Sequence, residues 1–334
     1  MKKDGRSIEM RHFTWISMAV FTLVFAIPAA PQQPAASMAP GWAFPFGEQV
    51  AQSPRKEEPG PLKIPGSAKT YTQAQIDDAF NPPDWFPDEH PPMPQVVARG
   101  SGKDVRACAQ CHLSTGMGHP ESAIVTGFSV PYFMRQIEDM KSGERRTGGI
   151  MDTISKAMSE EDARQAAEYF ASLKPFPYIR VVETETVEKS YVERGGMRLR
   201  APSSGTEPLG KRIIVLPEDE ERIMRRDPHG SVTIAHVPAG SIAKGKELVT
   251  MGGSGKTVGC AACHGDKLQG ADGPGAGDAP RIAGLQPIYI FRQLYSFQNN
   301  SRVGASAVLM KPVVAKLTED DMIAISAYLG SLAP

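Results

Sequence analysis

Two stretches of the chain share one pattern of apolar and polar positions. Residues 131–146 and 288–302 both follow helical periodicity and contain the pattern Tyr-x-x-Arg-Gln. Residues 151–173 and 310–332 come next, and each begins with a methionine eight residues ahead of an S/T-x-x-D capping box. Both of these stretches end in an apolar helix that carries a tyrosine. Because the markers recur in one order, we predict a duplicated domain and a mainly α fold.

The segment between the two copies has a different pattern. Residues 178–187, 211–217 and 231–238 are rich in β-branched residues and are typical of strands, whereas residues 218–226 favour a short helix. A structureless connection of this length would be unusual in a compact domain. We therefore predict a β-containing linker over residues 176–240 that packs on one or both copies.

The N-terminus has the pattern of an export signal. An apolar run at residues 13–27 follows Lys2, Lys3, Arg6 and Arg11. The run is shorter than the roughly 20 residues that a membrane-spanning helix needs, and it fits a secretory signal. An exported, periplasmic protein is expected, either soluble after cleavage or held by an uncleaved N-terminal anchor.

A proline-rich stretch follows the signal. Residues 31–70 are rich in Pro, Ala, Gln and Gly and favour a tether, which we take to extend to residue 80. Residues 81–94 are also dense in proline, but Trp85 and Phe86 predict an ordered loop that lies over a domain. The chain accordingly divides into five predicted parts: a signal or anchor (1–30), a tether (31–80), a first domain (81–175), a β-containing linker (176–240) and a second domain (241–334).

Composition narrows the class of protein. Hydrophobic residues make up 41% and charged residues 22%, which is ordinary for a soluble globular protein. The formal net charge is zero. No strongly basic surface is implied, so nucleic acid is not an expected partner.

The chain has four cysteines, and all of them lie in two copies of one motif, CAQCH from residue 108 and CAACH from residue 260. Disulfides are the first alternative in an exported protein, and zinc is the second, but zinc would need a further ligand pair near each motif. CxxCH is the attachment signal for c-type haem, in which both thiols add to the haem vinyl groups and the histidine becomes the proximal iron ligand. We therefore predict two covalently bound haem c groups, held by Cys108, Cys111 and His112 and by Cys260, Cys263 and His264.

The sixth position of each iron needs a distal ligand. The candidate methionines are Met117, Met134, Met140, Met151 and Met158 in the first copy and Met251, Met310 and Met322 in the second. Only Met151 and Met310 occupy the same place relative to the capped helix, 39 and 46 residues after their histidines. We predict these two as distal ligands, with Met322 inside the terminal helix and facing a neighbouring helix. The rival histidines do not match between the copies and are expected on surfaces or loops: His90, His119, His229 and His236.

Groups around the iron ligands can also be predicted. The Pro280 carbonyl is the expected acceptor for the second ring nitrogen of His264, and Pro120 is the nearest counterpart for His112. Arg135 and Arg292 are candidates to pair with haem propionates, and the alternative for both is a solvated helix face.

Each half resembles a class I cytochrome c domain. The helix, the CxxCH motif, the proline loop, the distal methionine and the aromatic-bearing last helix occur in that order over about 95–173 and 241–333. The tandem arrangement, with "GFSVPYFMRQ" and "GLQPIYIFRQLYSFQ" ahead of the distal methionines, resembles the dihaem cytochrome c4 family. The proline-rich leader and the long middle segment depart from that family.

The resemblance implies an electron carrier rather than an enzyme. Such a carrier would take electrons from a quinol-oxidising complex or a dehydrogenase and pass them to a terminal oxidase or reductase. The alternatives are a cytochrome subunit of a periplasmic dehydrogenase and a dihaem peroxidase-type enzyme. With both axial positions filled, an iron exchanges electrons and does not readily bind substrate.

Overall fold

Helices occupy the positions that the repeated pattern predicts. A computed structural model describes residues 39–45, 50–51, 58–193, 197–203, 205–230, 232–270 and 279–334, which belong to one compact unit. Its α-helices are α1 (Gln73–Ile76), α2 (Gln95–Ala98), α3 (Ala109–His112), α4 (Val130–Ser142), α5 (Met151–Ala157), α6 (Glu160–Ser172), α7 (Glu220–Met224), α8 (Ser241–Met251), α9 (Ala261–His264), α10 (Pro287–Gln298), α11 (Met310–Val314) and α12 (Glu319–Ser331). Short 3₁₀ turns lie at Pro87–Glu89 and Ala305–Leu309.

Local sequence fixes the ends of the matched helices. The Ser159 hydroxyl accepts from the Asp162 amide at the start of α6, and Thr318 forms a full capping box with Asp321 at the start of α12. The predicted capping box is therefore confirmed at α12, whereas α6 has the Ser159 side-chain cap alone. At α4, the Ser129 hydroxyl accepts from the third residue of the helix, and Gly143 at φ +83° closes the helix in the left-handed conformation.

The first helix of each half differs in length. In the second half, α8 packs on α12, and Gly245 faces the Ala324 carbonyl so closely that a Cβ there would collide with it. In the first half, α2 packs on α6 but is a single turn. Pro94 caps α2 and has no amide hydrogen to continue a helix towards the N-terminus, so the prolines of the preceding loop shorten this element.

A buried carboxylate ties α8 to α12. Asp321 is fully buried, and its oxygens pair with Lys244 at 2.8 Å and Lys256 at 2.9 Å. Burial disfavours the charged form, but Lys244, Lys256 and Thr318 outweigh burial and hold the pKa of Asp321 well below its usual range. The matched residue in the first half, Asp162, is half-buried and bonds to Ser159 alone among the described contacts.

We expect Asp321→Asn to destabilise the protein by about 2 kcal/mol, because it removes charge-assisted bonds from a buried site. The folded pKa lies below the unfolded value of about 3.9, so the carboxylate stabilises the fold above that pH. This contribution is lost as the pH falls through the folded pKa. Thermal unfolding midpoints between pH 3 and 7 measure the effect.

Asp162→Asn is the matched control for this change and should shift the midpoint less, since its carboxylate is more exposed. Equal midpoints for the two variants would contradict the role given to Asp321.

The middle segment contains strands at the three predicted positions. Strands β2 (Ile179–Glu183), β8 (Thr233–Val237) and β7 (Ile214–Pro217) form one sheet in the order β2-β8-β7, with β2 parallel and β7 antiparallel to β8. The predicted short helix is α7. The other strands are β1 (Val50–Ala51), β4 (Ser190–Glu193) and β5 (Arg198–Arg200) in a second sheet and β3 (Thr186–Glu188) and β6 (Thr206–Pro208) in a third.

The hydrophobic core crosses the predicted domain boundaries. One cluster joins Phe128 and Tyr132 of the first half to Phe291 of α10 and to Val215 and Val237 of the central sheet. The middle segment therefore packs on both halves, because its sheet shares a core with them.

The predicted tether differs from expectation in its described parts. Trp42 and Phe44 pack in tilted geometry against Phe291 and Tyr295 of α10, with ring centroids 4.6 and 5.5 Å apart. Residues 58–80 also contribute to a small hydrophobic core. Its buried side chains are Leu62, Ile64, Ile76 and Trp85. Burial of these apolar side chains, which are scattered among the prolines, offsets the conformational entropy that the segment loses when it becomes ordered. The rest of the tether and the predicted export signal at 1–30 lie outside the described residues.

The loop predicted over residues 81–94 is ordered as expected. Trp85 is buried, and its indole nitrogen donates to the Arg225 carbonyl at 2.8 Å. None of the helices in the described part of the chain has the length and apolar character needed to cross a membrane.

Candidate haem sites

The second CxxCH motif opens onto a large cleft. Cys260, Cys263, His264 and Met310 all line this cleft, which encloses about 1350 Å³ of space including solvent at its mouth. Its other walls include apolar side chains of α10, α11 and α12, among them Phe297 and Leu329, and polar side chains of the first half, among them Arg135 and Gln136. The cleft thus combines two thiols, an imidazole and a thioether with apolar walls, a donor set and a shape that fit haem c.

The histidine of this motif is held in one tautomer. Its Nδ1 lies 2.7 Å from the Pro280 carbonyl oxygen, which can only accept, so Nδ1 carries the proton. Burial lowers the pKa of His264, which keeps the ring neutral. Nε2 therefore presents a lone pair suited to an iron. The predicted acceptor, Pro280, is confirmed.

The first motif has the same arrangement with a different acceptor. His112 Nδ1 lies 2.8 Å from the Ala123 carbonyl oxygen, and burial lowers the pKa of His112. The acceptor expected from the sequence, Pro120, is wrong, because the loop after the first motif turns so that Ala123 rather than Pro120 faces the ring. Cys108 and Met151 pack on one apolar cluster with Phe133, Phe170 and Val97.

Burial also affects the thiols of both motifs. It raises the pKa of Cys108 to about 12 and that of Cys260 to about 11, and it raises the pKa of Cys111. Each of these cysteines is a neutral thiol in the polypeptide at neutral pH. None of the four forms a disulfide.

The two predicted distal methionines begin matching helices. Met151 is the first residue of α5 and Met310 the first residue of α11, and both are half-buried. Met158 is buried at the end of α5, and Met322 is fully buried within α12, as the prediction for Met322 required. Met151 and Met310 stay predictions as iron ligands.

The remaining methionines and the rival histidines have other surroundings. Met117 is fully buried in the large core and Met251 is exposed. Of the histidines, His90 bonds to Asp84 and Pro91, and His229 pairs with Glu89 at 2.6 Å. His119 is buried rather than on the surface, whereas His236 is half-buried in β8, within a run predicted as a strand.

A polar network, partly buried, joins the two halves with near two-fold symmetry. Arg145 donates to Gln136 of its own half at 2.9 Å and to Gln293 of the other half at 3.1 Å. Arg302 donates to Gln293 of its own half at 2.9 Å and to Gln136 of the other half at 2.6 Å. The backbones pair as well, with Arg146 N donating to Ser301 O at 2.8 Å.

Sequence reasoning missed this network, although a signal was present. Arg145 and Arg302 each lie 13 residues after the matched tyrosines, Tyr132 and Tyr289. In the structure each guanidinium reaches the tyrosine hydroxyl of the opposite half, at 3.5 Å for Tyr289 and 3.1 Å for Tyr132.

The two arginines considered for haem propionates have different surroundings. Arg292 donates to the Ala43 carbonyl and pairs with Glu121, so the propionate prediction for Arg292 is not supported by its contacts. The reason is that the segment around Ala43 packs on α10. Arg135 belongs to the first half in sequence, but its side chain lines the cleft at the second CxxCH motif.

Comparison with known proteins agrees with these features. The family model described as Cytochrome c matches residues 242–333. Cytochrome c-554(547) of Halothiobacillus neapolitanus is 32% identical over 102 residues, which cover 28% of this chain and 99% of the relative. The chain belongs to the cytochrome c family. This membership confirms the predicted cofactor, covalently bound haem c. Proteins of the cytochrome c4 type carry two such groups.

Two further relatives of this cytochrome extend the comparison. Cytochrome c4 of Azotobacter vinelandii is 22% identical and covers 71% of this chain and 89% of the relative. The thiosulfate dehydrogenase electron acceptor of Stutzerimonas stutzeri is 34% identical over 91 residues, which cover 27% of this chain and 39% of the relative. The chain spans 43% and 39% of the length of the first curated relatives it matches.

Proposed function

We propose that this cytochrome is an exported dihaem electron carrier with one class I cytochrome c domain in each half. The first domain is residues 81–175, the second is residues 241–334, and residues 176–240 join them. The observation that carries the proposal is the repeated site, in which a neutral imidazole with a protonated Nδ1 and a helix-starting methionine accompany each CxxCH motif.

The residues of each site have two different roles, attachment of the haem group and ligation of its iron. Cys108, Cys111, Cys260 and Cys263 would hold the haem groups, and His112 with Met151 and His264 with Met310 would occupy the axial positions. Haem supplies reversible one-electron chemistry when bound. The Ala123 and Pro280 carbonyls fix the imidazole orientation, and apolar side chains such as Phe297 and Leu329 would pack against the second haem group.

We expect the matured protein to take up two electrons per chain in a reductive titration. Because Met151 and Met310 would each hold an iron through a thioether, added carbon monoxide should leave the reduced spectrum unchanged, and hydrogen peroxide should not be turned over. Uptake of one electron, or ready binding of carbon monoxide at one site, would contradict the carrier and favour the peroxidase-type alternative.

A cytochrome subunit of a dehydrogenase is the second candidate. It is favoured by the likeness to a protein named as the electron acceptor of thiosulfate dehydrogenase. Purification of the tagged chain from its native host at high salt distinguishes the two. A dehydrogenase recovered in equal amount supports the subunit, whereas the cytochrome recovered alone supports a free carrier that meets a quinol-oxidising complex, an oxidase or a reductase transiently.

A further inference from the structure

The two CxxCH motifs differ sharply in exposure. Ala261, Ala262 and Cys263 of the second motif are exposed. The matched Ala109 and Gln110 of the first motif are only 5% and 6% exposed. Equivalent parts of the repeat thus face solvent in one half and protein in the other.

The chain itself covers the first motif. The buried Arg226 guanidinium donates to the Gln110 carbonyl at 2.5 Å and to the Ile76 carbonyl at 3.2 Å. The Ala107 amide, next to the motif, donates to the Ala79 carbonyl at 2.9 Å. The middle segment and the proline-rich leader therefore form a wall across this edge of the first site.

At the second motif an apolar surface replaces that wall. Val258, Val308 and Leu309 are 55%, 56% and 63% exposed. Val258 and Leu309 line the mouth of the haem cleft, and Thr257 is hydrogen-bonded to the Val313 carbonyl at 2.8 Å, which joins the two segments. We call this surface the second-site rim: Val258, Ala261, Ala262, Cys263, Val308 and Leu309.

The matched positions of the first half are less apolar. Arg106 stands where the rim has Val258, Gly149 where it has Val308, and Gln110 where it has Ala262, whereas Leu309 is matched by another exposed apolar residue, Ile150. Exposed apolar residues grouped in this way mark an interaction site more often than residues scattered singly.

The two chain segments that contain the rim carry more lysines than acidic residues. Residues 251–270 and 303–317 contain four lysines and one acidic residue, Asp266. Lys256 is paired with the buried Asp321. None of the positions in the first half that match these lysines carries a positive charge, and two are acidic: Asp104, Thr115, Asp152 and Ala157 stand where the second half has Lys256, Lys267, Lys311 and Lys316.

We propose that the second-site rim is the docking surface for an acidic redox protein, and that electrons enter or leave the chain there. This rests on the proposed function, in which Cys263 holds a haem group. An apolar centre with a charged border is the usual anatomy of a transient interface, and complementary charge accelerates encounter. The wall over the first motif keeps partners away from the equivalent edge of the first site.

A pair of double variants tests the surface. Val258→Asp with Lys316→Glu alters the rim, and Arg106→Asp with Ala157→Glu alters the matched exposed positions of the first half. Both changes make the net charge more negative by 3, so the effect of net charge on the reaction rate is the same in the two variants. The probe is plastocyanin, an acidic copper protein, whose reduction by each ferrous holoprotein is followed by stopped flow.

For the wild type we expect a second-order rate constant that falls as salt rises. The rim variant should react about tenfold more slowly at low salt, since steering and apolar contact are both lost, whereas the control should stay within about twofold. Equal slowing of both variants, no slowing of the rim variant, or a rate that does not fall with salt would overturn the proposal.

Sedimentation and reductive titration complete the test of the rim. Sedimentation of the wild type should show a monomer, and a dimer that only the rim variant disrupts would mean that a second copy occupies the surface and would refute an acidic partner. Reductive titration of all three proteins should give two electrons per chain. If the wild type failed that titration, the proposed function would fail, whereas a normal titration with unaltered plastocyanin kinetics would refute the docking surface alone.

Discussion

Replacing Cys260 and Cys263 together with alanine is expected to lower the mass of the mature protein by one haem group. The thioether bonds alone keep haem attached when a protein is denatured, so mass spectrometry under denaturing conditions counts covalent groups directly. The His264 imidazole and Met310 can still approach an iron, but neither forms a covalent bond that survives unfolding. The expected mass is that of the chain with the first haem only.

The matched change in the other half, Cys108 and Cys111 to alanine, is the control. It should remove one haem group as well and leave the second, and the four-alanine variant should carry none. A wild-type chain with a single haem group after maturation in a competent host, or a Cys260/Cys263 variant of unchanged mass, would contradict two independent attachment sites.

Features that depend on local sequence were predictable. The capping residues Ser159 and Thr318 act on amides three residues away, so the chain near each helix start determines them. Pro280 was also predictable, because a proline loop holds its carbonyl in place and the second half follows the family pattern in this region. The three strand runs of the middle segment were found from their β-branched residues.

Features that depend on distant residues were not predictable. Ala123 replaces Pro120 as the partner of His112, and the tightly packed loop there is set by contacts such as Tyr178 with the Gly118 carbonyl. Arg292 was a candidate haem partner, but Glu121 and Ala43, 171 and 249 residues away in sequence, take its donors. Such pairings follow from how the halves pack, which a single sequence does not specify.

The covering of the first motif has the same origin. No pattern near CAQCH indicates that Arg226 crosses it, since the contact spans 116 residues. The apolar character of the rim was visible in the sequence, but its exposure became clear only when the second site was compared with the first. The repeat therefore predicts two equivalent sites, but the middle segment covers the first motif and leaves the second exposed.

Replacing Met151 or Met310 with leucine is expected to remove about half of the near-infrared band that a methionine–ferric iron bond gives. Leucine keeps the volume and the apolar character, so the fold should lose less than about 1.5 kcal/mol. It has no sulfur to offer the iron, so one sixth position opens. Added cyanide or carbon monoxide should then bind at one site in each variant and at both sites in the double variant.

Met158→Leu and Met322→Leu are the matched controls, and both should keep the whole band. Met158 lies at the other end of α5 from Met151, packed among Ile154 and Ala163, and Met322 is fully buried in α12. Loss of half the band in either control would move the ligand by one helix from the predicted register. A band that survives both Met151→Leu and Met310→Leu would exclude these residues as ligands. The ligands would then lack the matched positions on which the prediction rests, since no other methionine pair begins matching helices in the two halves of the described chain.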